Sequence, residues 1–222
     1  MNYNRFLELS EEFGEFVVSL HALYLDSVIG FIVLHRRLLE HRNQMKSVLG
    51  ESESSSDESQ DKSLIDYKRL CGKEFNLEST QAFMTQREVK ERTAHNGTNY
   101  IRLGCLCVVQ AYTYWENYLR IEIAIARGVL DPKRHKKKKE IDSILKKYVS
   151  CDFWGDMSRL RRAIIHNKGI VDEKMKSLTW FKPGDPVNLD FEKMQDIFGQ
   201  MADFRNFLGM LSLPPNDAKF PS

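Results

Sequence analysis

The stretch "SRLRRAIIHNKGIV", Ser158 to Val171, gathers the residues best suited to chemistry in this 222-residue chain. Arg161 and Arg162 carry planar guanidinium groups that grip phosphate through paired hydrogen bonds. His166 follows, an imidazole of the kind that titrates near neutrality, and then Asn167, Lys168 and Gly169. A histidine that moves protons beside an arginine that neutralises charge is what phosphodiester cleavage needs. The spacing complicates that reading. Arg162 and His166 are four apart and adjoin on a helix. Arg161 and His166 are five apart, about 140° round the axis. This second pair meets on one ligand only if the helix frays after Ile165, or if another molecule supplies half the site. Met157, Leu160 and Ile164 recur at helical spacing and anchor the segment. On spacing alone, a solvated helix terminus is the simpler reading.

The elements that would hold these residues are helical. Twelve glycines and six prolines leave long uninterrupted segments rich in Leu, Glu, Lys, Arg, Met and Ala, which predicts an all-α protein. Apolar residues at 42% and charged residues at 29% fit a soluble globular chain. A net charge of +2 excludes a global field for nucleic acid, so any such binding falls to local patches. Four cysteines (Cys71, Cys105, Cys107 and Cys151) make no disulfide framework in a chain this long, and the acidic start lacks the order of a signal peptide. A reducing cytoplasm is therefore expected. Cys105 and Cys107 diverge by roughly 200° on a helix and read as core residues. Neither metal-ligand spacing among the histidines nor a Gly-rich phosphate loop is present in the sequence, so no metal and no cofactor are expected.

Along the chain, a first helical region is predicted over Asn4–Leu49. Within it, Phe16–His35 matches the length of a bilayer-spanning helix. His21 and Asp26 lie inside that stretch, and an intramembrane carboxylate costs at least about 2.5 kcal/mol. A long core helix without a membrane is the expectation, with an apolar face broad enough to meet a partner chain. The serine and acid tract "GESESSSDESQDKS" reads as a disordered loop over 50–63. Shorter helices and a turn at His95–Asn99 precede a central helix, Tyr100–Leu130, expected to be buried on most sides. Glu116 and Arg120 on it are spaced for an ion pair, and Glu116 could alternatively point at a shared polar site. The basic run Lys133–Lys139 could track a phosphate backbone, though a solvated loop is simpler. A short amphipathic helix, the motif helix over about Phe153–Asn167, a loop or short extended segment, and a closing core helix from Phe191 complete a single domain across 1–222.

"RRAIIHN" resembles the R-x4-6-H signature of HEPN domains, all-helical proteins named for higher eukaryotes and prokaryotes nucleotide-binding. Arg161 takes the arginine position, Arg162 the polar one and His166 the histidine. The "HNKG" tail, the helix "LGCLCVVQAYTYWENYLR" with its Trp115–Glu116 pair, and the ending "FKPGDPVNLDFEKMQDIFGQMADF" are similar to one branch of that family. The resemblance spans 96–211. One departure is Arg162, where Asn, Asp or His is usual. The resemblance implies a HEPN-like helical bundle and a metal-independent endoribonuclease, usually a homodimer with two motif helices facing across the symmetry axis. Arg161 and His166 would then be catalytic, and Arg162, Asn167, Lys168 and Glu116 would bind phosphate or support the site. RNA would be the substrate, and an antitoxin or anti-phage defence partner would be expected. The alternative is a non-catalytic helical module that binds RNA through the same basic groove.

Overall fold

The computed structural model describes residues 2–49, 56–71 and 84–210. It is all-α in character, with one minor two-stranded sheet. The helices are α1 (Tyr3–Leu49), α2 (Asp57–Lys62), α3 (Tyr67–Cys71), α4 (Gln86–Thr93), α5 (Thr98–Tyr114), α6 (Arg120–Ala126), α7 (Lys138–Tyr148), α8 (Asp152–His166) and α9 (Phe191–Met210). A π-helical turn, Trp115–Leu119, joins α5 to α6. Strands β1 (Leu64–Ile65) and β2 (Met84–Thr85) pair antiparallel. The single domain read from the sequence divides into two compact units. One comprises 1–22 and 104–222, the other 23–103, so α1 and α5 each contribute to both.

The first unit is built on an aromatic core. Trp115 and Trp154 stack with centroids 4.7 Å apart and planes 3° from parallel. Phe204 meets both rings edge-on, and Phe13 of α1 packs on Trp154 and Phe204. Each such pair adds about 0.5–1.5 kcal/mol beyond its buried area. Gly104 is required where α5 crosses the segment before α9: a Cβ there would lie 2.8 Å from the Leu189 Cβ. His21 of α1 bonds Gln195 Oε1 at 3.2 Å and stacks on Phe198, so the start of α1 belongs to this core.

The second unit corrects the expected loop over 50–63. Residues 50–55 lie outside the described residues, but Ser56 caps α2 by accepting from the Ser59 N–H. The tract has no apolar residues of its own, so its order comes from α1. Buried Arg42 pairs with Asp57 and Asp61, and Gln60 is itself buried. The Arg42 hydrogen bond draws the Asp61 carboxyl below its ordinary range. Leu38, Ile65, Leu70 and Val89 form the apolar centre of this unit.

Two further expectations change. The central helix is not one uniform α-helix, because the π turn interrupts it at Trp115–Leu119. Nor is it buried on most sides: Leu106 is 67% exposed, and Gln110, Glu116 and Asn117 face solvent. The expected broad apolar face of α1 is present, with Val18, Leu23, Ile29 and Ile32 more than half exposed. α1 is long and apolar enough to cross a membrane, and 22% of that window is buried.

The loop after α8 is held by one carboxylate. Asp156 is fully buried. It accepts from the backbone N–H groups of Lys176, Ser177 and Leu178 at 2.8, 2.6 and 3.0 Å, and from Arg159 at 2.8 Å. Replacing Asp156 by Ala leaves three backbone donors without their acceptor, that of Leu178 buried, and leaves Arg159 only Glu173. The expected loss is about 3–5 kcal/mol, read as a lowered urea midpoint. A change under about 1 kcal/mol would show that water replaces these bonds readily.

Candidate functional site

The motif helix runs unbroken from Asp152 to His166. Cys151 stands at its N-terminus without a side-chain cap bond, and burial pushes its thiol above the ordinary value. Met157, Leu160 and Ala163 are buried to 0% exposure and fix its inner face. Because the helix does not fray after Ile165, Arg161 and His166 keep their divergence. The arrangement that a single chain needed in order to join them does not form.

Each predicted residue has a definite place. The Arg161 guanidinium lies 5.7 Å over the Tyr112 ring, a cation–π contact between α8 and α5. Its Nε is buried without a hydrogen-bond partner. Tyr112 in turn donates its hydroxyl to Glu116 at 3.3 Å. Glu116 therefore reaches the motif arginine through one aromatic ring, rather than through Arg120. The Glu116–Arg120 ion pair does not form. The π turn changes their phase on the helix, and the Arg120 Nε instead donates to the Val149 carbonyl at 2.9 Å.

Arg162 is engaged by two acids, Asp172 at 3.2 Å and Glu173 at 2.7 Å. Arg159 shares Glu173 at 3.0 Å. Asn167 donates to Asp172 at 2.8 Å. His166 is exposed at the helix end and makes no side-chain hydrogen bond among the described residues. Lys168 is exposed with φ 53°, an uncommon left-handed backbone for a non-glycine residue, and Gly169 follows at φ 77°. This double reversal returns the Gly169 N–H to the Ala163 carbonyl at 2.9 Å and turns the chain toward the acids.

Sequence reasoning missed the acids and their anchor. Asp156 and Arg159 stand three apart on one helix, a spacing that signals a pair. Asp172 and Glu173 carried no signal, because their approach depends on the turn at Lys168–Gly169. Cys105 and Cys107 are not reactive thiols: burial pushes each up to about 11. The basic run stays a largely exposed connection, with Lys138 and Lys139 opening α7.

In chemical terms, this is an all-α protein whose basic helix terminus is half neutralised by its own loop. No family model, curated protein or solved structure matches the chain.

The acids also set a pH response. Hydrogen bonds from Arg159 and Arg162 hold the Glu173 carboxyl below its ordinary value. Partial desolvation pushes Asp172 up, but the Asn167 bond and the Arg162 charge outweigh it and leave it lowered. Both folded values lie below the unfolded ones. The contribution is full above the ordinary carboxylate range and vanishes as pH falls through the lowered values. Amides of 170–176 are expected to lose hydrogen-exchange protection in acid before α8 does. Loss of both together would show that the acids do not hold the loop.

Proposed function

We propose that the chain is a metal-independent endoribonuclease of the HEPN type, acting on RNA in the cytoplasm as a homodimer. Its likeness to that family is the "RRAIIHN" string on a helix of an all-α protein. The observation that carries the reading is the state of His166, which stands exposed at the end of an unbroken helix with no side-chain hydrogen bond among the described residues. The Arg161 Nε, five residues earlier, is buried with no partner. In the proposed step, one His166 takes the proton from the ribose 2′-hydroxyl as that oxygen attacks phosphorus. The 5′ oxygen leaves with a proton drawn from solvent, the imidazolium gives its own proton back to solvent, and a 2′,3′-cyclic phosphate remains. Arg161 stabilises charge on the phosphate. Lys168 and Asn167 hold neighbouring phosphates, and Glu116 orients Arg161 through Tyr112.

The composite site follows from divergence. Two-fold symmetry places the same patch of each chain against the other, so Arg161 of one chain can serve His166 of the next. The exposed apolar face of α1 supports such pairing. An antitoxin or a defence partner would control a nuclease of this kind.

A second reading is favoured by a specific observation. Asp172 and Glu173 occupy Arg162, and Asp172 occupies Asn167. A site with its phosphate donors so engaged suits a non-catalytic RNA-binding module, in which RNA displaces the acids.

In chelator, His166→Ala is expected to reduce RNA cleavage at least about 100-fold with the helical signal unchanged. Heterodimers of His166→Ala with Arg161→Ala chains should regain activity. Equal cleavage by wild type and His166→Ala sinks the nuclease reading, as does full activity from a monomer. Salt-dependent RNA binding with no cleavage establishes the second reading.

The double substitution Asp172→Asn, Glu173→Gln releases Arg162. RNA affinity should rise, and the slope of log affinity against log salt should steepen by about one. An unchanged slope would place RNA away from Arg162.

A further inference from the structure

At the opposite end of α8 from His166 lies a pocket of about 170 Å³ that plays no part in the proposed cleavage step. Its polar lining comes from three helices: Tyr112 on α5, Arg120 at the start of α6, and Trp154 and Ser158 on α8, with Cys151 at the helix N-terminus. None of the lining residues is acidic.

Three features of the lining call for an anion. Arg120 is half-buried, and burial works against its charge. Its Nε is used by the Val149 carbonyl, and although Glu116 and Asp142 act on it through space, no carboxylate stands within ion-pair distance among the described residues, so no ion pair engages its two Nη groups. Trp154 is 2% exposed, and its Nε1–H has no partner. A buried donor left unpaired costs about 1–3 kcal/mol, so a small shift of the indole that lets a pocket ligand accept from it would be favoured. The N-terminal end of α8, a 15-residue helix, adds its positive dipole at Cys151 and Gly155.

The π turn is what assembles these groups. In a plain α-helix, Arg120 would stand about 80° round the axis from Tyr112. The wider turn over Trp115–Leu119 rotates less per residue and brings Arg120 back toward the Tyr112 face. Such turns concentrate at functional sites.

We propose that this pocket binds a phosphate group, either the free ion or the terminal monoester of a larger molecule. With the Tyr112 hydroxyl given to Glu116, the remaining donors come from α6 (Arg120) and α8 (Trp154 and Ser158), more than a planar carboxylate can use, which suits a tetrahedral oxyanion. The volume lies below the roughly 300 Å³ at which pockets for drug-sized ligands begin. The phosphate group therefore enters while the rest of a larger ligand stays outside. Tyr112 borders the pocket and supports Arg161 on its ring, but Arg120 and Ser158 have no place in the cleavage step. The inference stands whether or not the chain cuts RNA.

The test uses the full chain, with thermal shift and calorimetry against inorganic phosphate, acetate, and a dinucleotide with either a 5′-phosphate or a 5′-hydroxyl. Saturable stabilisation by phosphate and none by acetate is expected. Preference for the phosphorylated dinucleotide over its hydroxyl form assigns the group to a terminal monoester; a response to inorganic phosphate alone assigns it to the free ion. Arg120→Gln should weaken phosphate binding at least about tenfold. Because Arg120 also holds Val149, Ser158→Asp is read beside it. That change places a negative charge in the pocket while leaving the Arg120–Val149 bond in place, and it should weaken binding as much. His166→Ala should bind phosphate as wild type does. The proposal is overturned if phosphate gives no saturable response, if acetate binds equally, or if Ser158→Asp binds phosphate unchanged. It is overturned too if neutralising Lys136, Lys137 and Lys139 removes the response, since the anion would then sit on the surface lysines.

Discussion

The buried carboxylate of Asp156 sets the geometry of everything at the other end of α8. A carboxyl group with no exposure is tolerated only where donors replace its water. Here three consecutive backbone N–H groups and Arg159 do so. Satisfying one side chain therefore pins residues 176–178 against the helix. Lys176 adds a bond to Asp152 on the first turn. With the chain clamped there and turned at Lys168–Gly169, residues 170–175 have little freedom, and Asp172 and Glu173 are delivered to Arg162, Arg159 and Asn167.

Tyr112 is the second joint. Its ring supports the Arg161 guanidinium, its hydroxyl donates to Glu116, and it borders the pocket beside Arg120. Burial raises the Tyr112 hydroxyl above its ordinary value, so it stays a neutral donor. A tyrosine in this position transmits the packing of α5 to the motif arginine. The stacked Trp115–Trp154 pair behind it fixes the distance between the two helices. The π turn thus shapes both ends of the region from one insertion.

Local pattern carried most of the fold. Apolar periodicity marked α1, α8 and α9 to within a few residues, because a helix that buries one stripe writes that stripe into its sequence. The acidic tract failed for a physical reason: α2 is ordered by a buried arginine 15 residues upstream of Asp57, and no local window contains both. The π turn was invisible because it changes the residues per turn without changing composition. Within the candidate site, Arg161 and His166 were legible as residue types at a spacing. The acids that occupy Arg162 were not, since they meet the helix only after a backbone reversal at a non-glycine residue, Lys168.

That occupation separates the basic residues into two classes. Arg162 and Asn167 are already bonded, so a phosphate reaching them must displace a carboxylate and gains only the difference between two charge-assisted contacts. His166 and Lys168 are exposed and have no side-chain hydrogen bond among the described residues to displace. Under the proposed function, an RNA backbone would therefore engage the second class first. Against such an RNA the acids would act as a competitor tethered to the chain, present at constant effective concentration and screened by salt along with the RNA. Added salt weakens the acid contacts and the RNA contacts together, so the arginine is exchanged between partners rather than simply released. Two such termini facing each other would place four acids around one groove. Any RNA that settles there must supply enough phosphates to outweigh them, which favours a strand crossing both chains over a single nucleotide bound to one.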